Sequence, residues 1–433
     1  MTLEIHVLGT SSARPAQGRS VSGSIVETPN GMIVVDCGEG FQNRLVKHRS
    51  AMKSLGGRRL KMSKVGAILL THGHLDHTWG VLPWLQTMAL DGRKDDLWVI
   101  GPTTSEVVDT LLGSEESPEV SPSDLVIQYD MWMDLGATSE ALGYDIFWIL
   151  GDGERWVNMN DGSQIELPQP IKKATISAHP TQHTVPSCAW KITTSERKGK
   201  FDRKSTSELP IEIKQSLAAG QDCEYEGQML KAAEYRSKNE PGISVILSGD
   251  TAEQAIESDC NLLIHEATFL ESHSDIANEH LHSTAAGAAR TAIECNAEHL
   301  AITHYSGRLD NPVASLSEAR AGSLSCITVT SSVSKGISIV SGCFMLCRGK
   351  VNEKYPGLMR LFSYTSRIST ARFVLVSGLQ SNFYLRCAYN ILAVTLRGRA
   401  LITLDISYAP LGAFSKYISG DGSSAHESEY PAG

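Results

Sequence analysis

The sequence lacks closely spaced cysteine pairs of the CxxC type, and it lacks a long apolar run. Its nine cysteines are scattered over 433 residues without a CxxC pair, which argues against a disulfide framework and favours reduced thiols. No apolar stretch approaches the ~18 residues of a membrane span, and the N-terminus lacks the basic and apolar regions of a signal peptide. These absences argue against a disulfide-rich or membrane-spanning protein and predict a cytoplasmic location.

Most of the chain is also short of positive charge. The net charge is −9 at pH 7. From Ser341 onward ten Lys and Arg outnumber five Asp and Glu, so the first 340 residues carry a net −14. An acidic body does not indicate general nucleic-acid binding. A polyanionic substrate would therefore need a local basic patch and metal ions.

Strand-like and helix-like segments predict an α/β fold. Hydrophobic residues make up 41% of the sequence, enough for a sizeable core. Strand patterns dominate the start, and several strand-like pieces are predicted between Leu125 and Ile192. Strands and helices then alternate, which indicates sheets covered by helices. The composition changes near residue 341, so we predict a domain over 1–340 and an extension over 341–433. The last 14 or so residues of that extension have the composition of a disordered tail.

The densest group of metal-binding side chains is "THGHLDHTWG", directly after the apolar run "VGAILL". His72, His74, Asp76 and His77 fall within six residues. Ligands just beyond a buried strand are held by rigid backbone yet remain open to substrate. Imidazole and carboxylate groups suit Zn²⁺, and also Mn²⁺ or Fe. The spacing favours a metal site over ordinary loop histidines.

Four ligands are too few to close two sites, and three later residues could complete them. His183 lies in "TQHTVPSCAWKI", Asp250 ends the strand-like "SVILSGDT", and His304 ends "HLAITHY". His179 is an alternative to His183. Taken alone, Asp250 or His304 could equally be a capping or surface group.

These motifs, in this order, resemble ribonuclease Z, a family of the metallo-β-lactamase superfamily that trims the 3′ end of precursor tRNA. "HGHLDH" matches the superfamily signature HxHxDH, and "HEATF", "HST" and "THYSGR" are more specific to the family. The resemblance covers roughly residues 1 to 340. It implies a four-layer αβ/βα sandwich with a protruding insert.

The resemblance also implies two zinc ions per subunit. The residues implied for the first zinc are His72, His74 and His183. Those implied for the second are Asp76, His77 and His304. Asp250 would bridge the two ions.

Three residues receive catalytic roles from the same resemblance. Asp76 would contact the attacking water and act as general base. His282 of "HST" would donate a proton to the leaving 3′ oxygen, and Glu266 of "HEATF" would orient His282. A carboxylate beside an imidazole fixes its tautomer and keeps it protonated near neutral pH. Without the resemblance, His282 would be interpreted as a residue at a helix N-terminus.

Substrate contacts are predicted mainly in a charged segment at about 195–242. It corresponds to the arm with which ribonuclease Z grips tRNA, although "ELPIEIKQSL" replaces the usual Gly-Pro element. The candidate RNA-binding residues are Arg197, Lys198, Lys200, Arg203, Lys204 and Arg308. A solvated charged loop is the alternative for the segment, and Arg308 could instead pair with Asp310.

Two supporting elements and the overall function complete the predictions. Asp36 is expected to support a ligand or to be structural, and "LGTSSARP" could line the phosphate end of the site. The predicted activity is endonucleolytic removal of the 3′ trailer of precursor tRNA, leaving a 3′ hydroxyl, by a homodimer. The alternatives are a hydrolase of a small phosphodiester, lactone or thioester, and a catalytically weak RNA-binding or structural subunit.

Overall fold

A computed structural model describes most of the chain up to residue 322 and short strands beyond it. The described residues are 3–16, 19–54, 60–115, 118–253, 256, 258–309, 313–322, 337–341, 362–363, 390–396 and 399–405. The predicted disordered tail and Asp310 lie outside these residues.

The strands form two main sheets and two hairpins. In chain order they are β1 (Leu3–Gly9), β2 (Gly23–Thr28), β3 (Gly31–Cys37), β4 (Val65–Leu69), β5 (Leu97–Pro102), β6 (Ile146–Gly151), β7 (Trp156–Asn158), β8 (Ser163–Ile165), β9 (Ala174–Thr181), β10 (Ser187–Thr194), β11 (Cys223–Tyr225), β12 (Gln228–Leu230), β13 (Ser244–Leu247), β14 (Leu262–Glu266), β15 (His299–Thr303), β16 (Ile337–Ser341), β17 (Phe362–Ser363), β18 (Asn390–Leu396) and β19 (Arg399–Asp405).

The first sheet has the order β17-β16-β1-β2-β3-β4-β5-β6-β7-β8, and the second has the order β15-β14-β13-β10-β9. In the first sheet β3, β4, β5 and β6 run parallel. In the second, β13, β14 and β15 run parallel. The carboxyl ends of these parallel strands carry the polar motifs of the sequence.

Helices connect the strands and cover the sheets. In chain order they are α1 (Phe41–Ser54), α2 (Leu75–Thr78), α3 (Val81–Leu90), α4 (Ser105–Leu111), α5 (Leu125–Asp134), α6 (Ser139–Leu142), α7 (Ile211–Ala219), α8 (Ser274–Glu279), α9 (Ala285–Glu294) and α10 (Val313–Gly322). Single 3-10 turns lie at Met62–Lys64 and Glu271–His273. None of the helices in the described part of the chain is long and apolar enough to cross a bilayer.

The prediction of strands from Leu125 onward is wrong for the first ten residues, which form α5. The Asp124 carboxylate accepts a hydrogen bond from the Val126 N–H and so caps the helix. Leu125 and Trp132 lie on the buried side of α5, whereas Ile127 is 36% exposed. Burial of residues at helical spacing therefore decides the structure of this segment. It outweighs the preference of the β-branched side chains for strands.

Three apolar clusters define four layers. Between the sheets, Ile5 of β1 packs in one cluster with Trp190 of β10 and Ile264 of β14. The outer face of the first sheet is covered by α1, α3 and α5. The outer face of the second is covered by α9 and α10. This arrangement confirms the predicted αβ/βα sandwich.

The segment between β10 and β13, predicted to be a protruding insert, contains ordered elements of its own. Residues near Arg197 and Phe201 form backbone bridges to Glu240 and Arg236 and so make a paired stem. Beyond the stem lie α7 and the β11–β12 hairpin. Residues Arg367–Gly433 form a separate unit that contains the antiparallel pair β18–β19.

Candidate metal centre

The loop after β4 is fixed from two sides before it presents its ligands. The Thr71 N–H and hydroxyl both donate to the Asp36 carboxylate, at 2.8 and 3.0 Å. The Thr71 carbonyl accepts from the Cys188 N–H of β10, at 2.9 Å. The Trp190 indole donates to the Leu70 carbonyl, also at 2.9 Å. Bonds to both sheets thus hold the backbone that leads into His72.

The first ligand cluster contains His72, His74 and His183. Nε2 of His72 and Nε2 of His183 lie 3.1 and 3.2 Å from Nδ1 of His74. His179 bonds to Ser177 instead. The structure therefore brings His183, and not its competitor, to the cluster.

The second cluster contains Asp76, His77 and His304. Nε2 of His77 and Nε2 of His304 are 3.3 Å apart. Oδ2 of Asp76 lies 3.7 Å from the first of these nitrogens and 3.4 Å from the second. This group comes from α2 and from the end of β15, at the meeting edge of the two sheets.

Asp250 stands between the two clusters. Its Oδ1 lies 3.3 Å from Nε2 of His77 and 3.3 Å from Nε2 of His304. Its Oδ2 lies 3.9 Å from Nε2 of His72. Each carboxylate oxygen faces a different cluster, which is the geometry expected of a bridging ligand.

Hydrogen bonds on the far side of the imidazole rings fix how the histidines present their nitrogens. Nδ1 of His77 lies 2.7 Å from Asp36, and Nδ1 of His183 lies 3.0 Å from the Leu281 carbonyl. Nδ1 of His304 lies 3.0 Å from the Thr268 hydroxyl. Such partners fix the tautomer and leave Nε2 as a free lone pair for a cation.

The spacing and the buried charges of this centre fit divalent cations. Two ligands of one tetrahedral Zn²⁺ lie about 3.3 Å apart, close to the separations found in both clusters. Oδ1 of Asp250 is buried and has no hydrogen-bond partner among the described residues. A buried carboxylate oxygen without a hydrogen-bond partner costs free energy. A cation bound at this oxygen would offset that cost.

The charge states of His72, His74 and Asp76 agree with this use, whereas Asp250, Asp36 and Asp76 outweigh burial and raise the pKa of His77 well above its usual value. Burial, followed by the neighbouring His77, lowers the pKa of His72 well below its usual value. Burial also lowers the pKa of His74 to about 4. Both rings are therefore neutral at pH 7, as metal ligands must be. Burial opposes ionisation of Asp76, but His77 and His304 lower the pKa of this carboxyl to about 2.

A second acid–imidazole pair lies beside the two clusters. Oε1 of Glu266 is 2.7 Å from Nδ1 of His282, and Glu266 is only 1% exposed. Its carboxylate also accepts from the Thr251 N–H and the Thr268 hydroxyl. Burial lowers the pKa of His282, but the charge of Glu266 and their hydrogen bond outweigh burial and raise it to about 9. His282 is therefore a protonated group that faces the centre.

Two residues of the centre adopt strained backbone conformations. Asp36 has φ 59° and His304 has φ 55°, in the left-handed region that non-glycine residues rarely occupy. Both are held by the hydrogen bonds of their side chains. Strain of this kind persists where the surrounding structure determines it, commonly at functional sites.

The structure adds two contacts that the sequence patterns did not predict. The Thr268 hydroxyl contacts Glu266, His282 and His304, although "HEATF" contains it. The Ala13 N–H of "LGTSSARP" donates to Oδ2 of Asp76 at 2.7 Å. The sequence predicted that this turn could line the site, and the structure adds the hydrogen bond by which it contacts Asp76.

The predicted RNA-binding residues lie apart from the clusters on the chain surface. The five candidate residues of the insert are exposed, and Arg197 pairs with Glu240 at 3.5 Å. Arg308 is exposed near the end of β15. None of the six belongs to the groups that could hold a metal within the described residues. Their contact with RNA stays a prediction.

Comparisons with known proteins identify relatives of this chain. The family model described as the metallo-beta-lactamase superfamily matches residues 16–123. A ribonuclease Z of Methanosarcina mazei is 30% identical over 72% of this chain and 90% of its own. A ribonuclease Z of Ignicoccus hospitalis is 30% identical over 72% of this chain and 91% of its own. The crystal structure of human tRNase Z, short form, is 20% identical over 70% of this chain and 93% of its own, with a TM-score of 0.43.

Proposed function

Since the chain belongs to the ribonuclease Z family, we propose that it is an endoribonuclease that removes the 3′ trailer from precursor tRNA. Cleavage leaves a 3′ hydroxyl on the tRNA. The observation that carries this proposal is the buried Glu266–His282 pair beside two clusters of metal-binding side chains. A protonated imidazole at this position can supply the proton that a leaving 3′ oxygen needs.

We propose two Zn²⁺ ions as the cofactors, with Mn²⁺ or Fe as alternatives. The ligand sets are the ones defined above, with Asp250 shared by both. When bound, such ions stabilise the charge that develops on the phosphate during in-line attack. The His and Asp donors of both clusters suit these cations.

The remaining roles belong to the side chains of this protein. Asp76 is ionised and accepts a hydrogen bond from the attacking water, and the Ala13 N–H holds its carboxylate in place. His282 donates its proton to the leaving oxygen. Glu266 keeps His282 charged and fixes its ring, and the Thr268 hydroxyl in turn holds Glu266.

We propose that the insert grips the body of the tRNA. Between Ser195 and Thr206 five exposed cations face only two acidic residues, which makes a local positive patch on an otherwise acidic domain. Phosphate contacts of this kind dominate RNA affinity. The paired stem supports this role because it holds the patch on ordered backbone. Arg308 would contact a phosphate nearer the metal centre.

We also propose a cytoplasmic homodimer, in which the insert of one subunit could serve the other. The exposed apolar residues Leu75 and Trp79, each 53% exposed on or beside α2, support an interface near the metal centre. The described cysteines are free thiols, which supports a reducing compartment. Light scattering of the purified chain tests the dimer, and a monomeric mass would contradict it.

The decisive experiment compares two substrates. We expect the protein to cut a precursor tRNA once, directly after the discriminator base, and the product ends can be mapped by sequencing. Bis(p-nitrophenyl) phosphate serves as the small diester control. High turnover of this diester without tRNA cleavage would instead favour a small-molecule hydrolase.

A further inference from the structure

A second group of metal-binding side chains lies on β1 and β2, outside the centre described above. Ile5 and Val7 of β1 face the core between the sheets. Alternation along the strand therefore turns Glu4 and His6 to the opposite face, toward α1. The hydrogen bond between His6 and His48 of α1 shows this orientation directly.

The sheet register brings two carboxylates to this face. Glu4 of β1 is the direct cross-strand partner of Glu27 of β2. One ligand atom each from Glu4, His6 and Glu27 lies within 4.8 Å of the others. A cation between them would contact all three side chains.

The His6 ring is oriented as a ligand. Its Nδ1 lies 3.1 Å from Nε2 of His48, and its Nε2 lies 3.7 Å from Oε2 of Glu27. His6 is fully buried, and its Nε2 has no hydrogen-bond partner among the described residues. The second distance is too long for a hydrogen bond. It is close to the separation of about 3.3 Å between two ligands of one Zn²⁺.

His48 supplies the partner that a metal-binding histidine usually has. Its Nε2 contacts Nδ1 of His6, and this contact orients the His6 ring so that its other nitrogen, Nε2, lies toward Glu27. The ring nitrogen of a metal-binding histidine that does not face the metal usually has such a hydrogen-bonding neighbour.

We propose that Glu4, His6 and Glu27 bind a divalent transition-metal cation of the Zn²⁺ class, separately from the metal centre. Two carboxylates and one imidazole match the donors that such cations prefer. Three protein ligands leave a position for water. The Glu27 side chain is 12% exposed, which gives the cation a route from solvent. The bound cation joins β1 to β2 at the sheet face beneath α1.

The test counts zinc in the full-length protein. Wild type, Glu27→Gln and the control Glu140→Gln, an exposed position on α6, are loaded with zinc, dialysed and measured by mass spectrometry. We expect Glu27→Gln to hold one zinc per chain less than wild type and the control. Equal zinc content in all three proteins would overturn the proposal, because the carboxylates would then be balanced by protein side chains alone.

A second measurement separates this site from the proposed function. Zinc should raise the melting temperature of wild type more than that of Glu27→Gln, while both cleave precursor tRNA equally. His72→Ala should show the reverse, with cleavage lost and the Glu27-dependent zinc retained. An identical zinc-induced shift in wild type and Glu27→Gln would contradict the site even if the RNase activity is confirmed.

Discussion

Replacing Glu266 with Gln removes the charge that keeps His282 protonated. In the structure this carboxylate, 2.7 Å from Nδ1, outweighs burial and raises the pKa of His282 to about 9 from its ordinary 6.5. Gln keeps the size and a carbonyl acceptor but not the charge. The pKa of His282 should therefore fall back toward 6.5, a change that corresponds to about 3 kcal/mol.

The consequence is a shifted pH profile. A proton donor is active when protonated, so cleavage is lost as pH rises through the pKa of the donor. At pH 7.5 a group with a pKa of 9 is roughly 97% protonated, and one with a pKa of 6.5 roughly 10%. We expect about tenfold slower cleavage by Glu266→Gln at this pH and recovery toward pH 6. Cations bound nearby lower the pKa in both proteins, so the comparison isolates Glu266.

The assay is single-turnover cleavage of precursor tRNA by saturating enzyme from pH 5.5 to 9. Metal content and melting temperature are measured in parallel, because the substitution could also disturb the local structure. The Thr268 N–H donates to Oε2 of Glu266, and an NH₂ group of Gln at that position would place two hydrogen-bond donors against each other. Glu271→Gln is the matched control, since Glu271 pairs with Arg290 and not with a histidine. If the cleavage rates of Glu266→Gln and wild type fall at the same alkaline pH while their metal contents are equal, the reasoning is refuted.

Three further predictions address the donor, the ligands and the insert. His282→Ala should retain the metal content of wild type and lose about 10²–10⁴-fold in cleavage rate. An unchanged rate in single-turnover assays would exclude His282 as the proton donor. His183→Ala should lower metal content measured by mass spectrometry, whereas His179→Ala should not, and the opposite pattern would reassign the ligand. Replacing the exposed insert cations with Ala should weaken tRNA binding. The slope of the logarithm of the binding constant against the logarithm of salt concentration should become shallower by roughly 0.7–0.9 per lost phosphate contact. Filter binding at several salt concentrations measures this, and equal loss of small-diester hydrolysis would indicate a structural role. The residues to change are Lys198, Lys200, Arg203 and Lys204.

Short-range sequence patterns were enough to place most elements that carry the centre. The apolar run before His72 forms β4, and those before Asp250 and His304 form β13 and β15. Such runs end where polar ligands begin, so strand ends and ligands are visible together. α5 was missed because Val126, Ile127 and Tyr129 favour strands locally, whereas packing of Leu125 and Trp132 in the core decides for a helix.

Motifs and local spacing along the chain are sufficient to identify the family, the αβ/βα sandwich and the candidate residues. The folded chain determines which of these residues meet. It chose His183 over His179, turned the two oxygens of Asp250 toward different clusters, and brought Ala13 and Thr268 to the centre. It also placed Glu4 opposite Glu27 beside His6. Strand register and the meeting of two sheets join residues that are far apart in the chain, and no local pattern records those contacts.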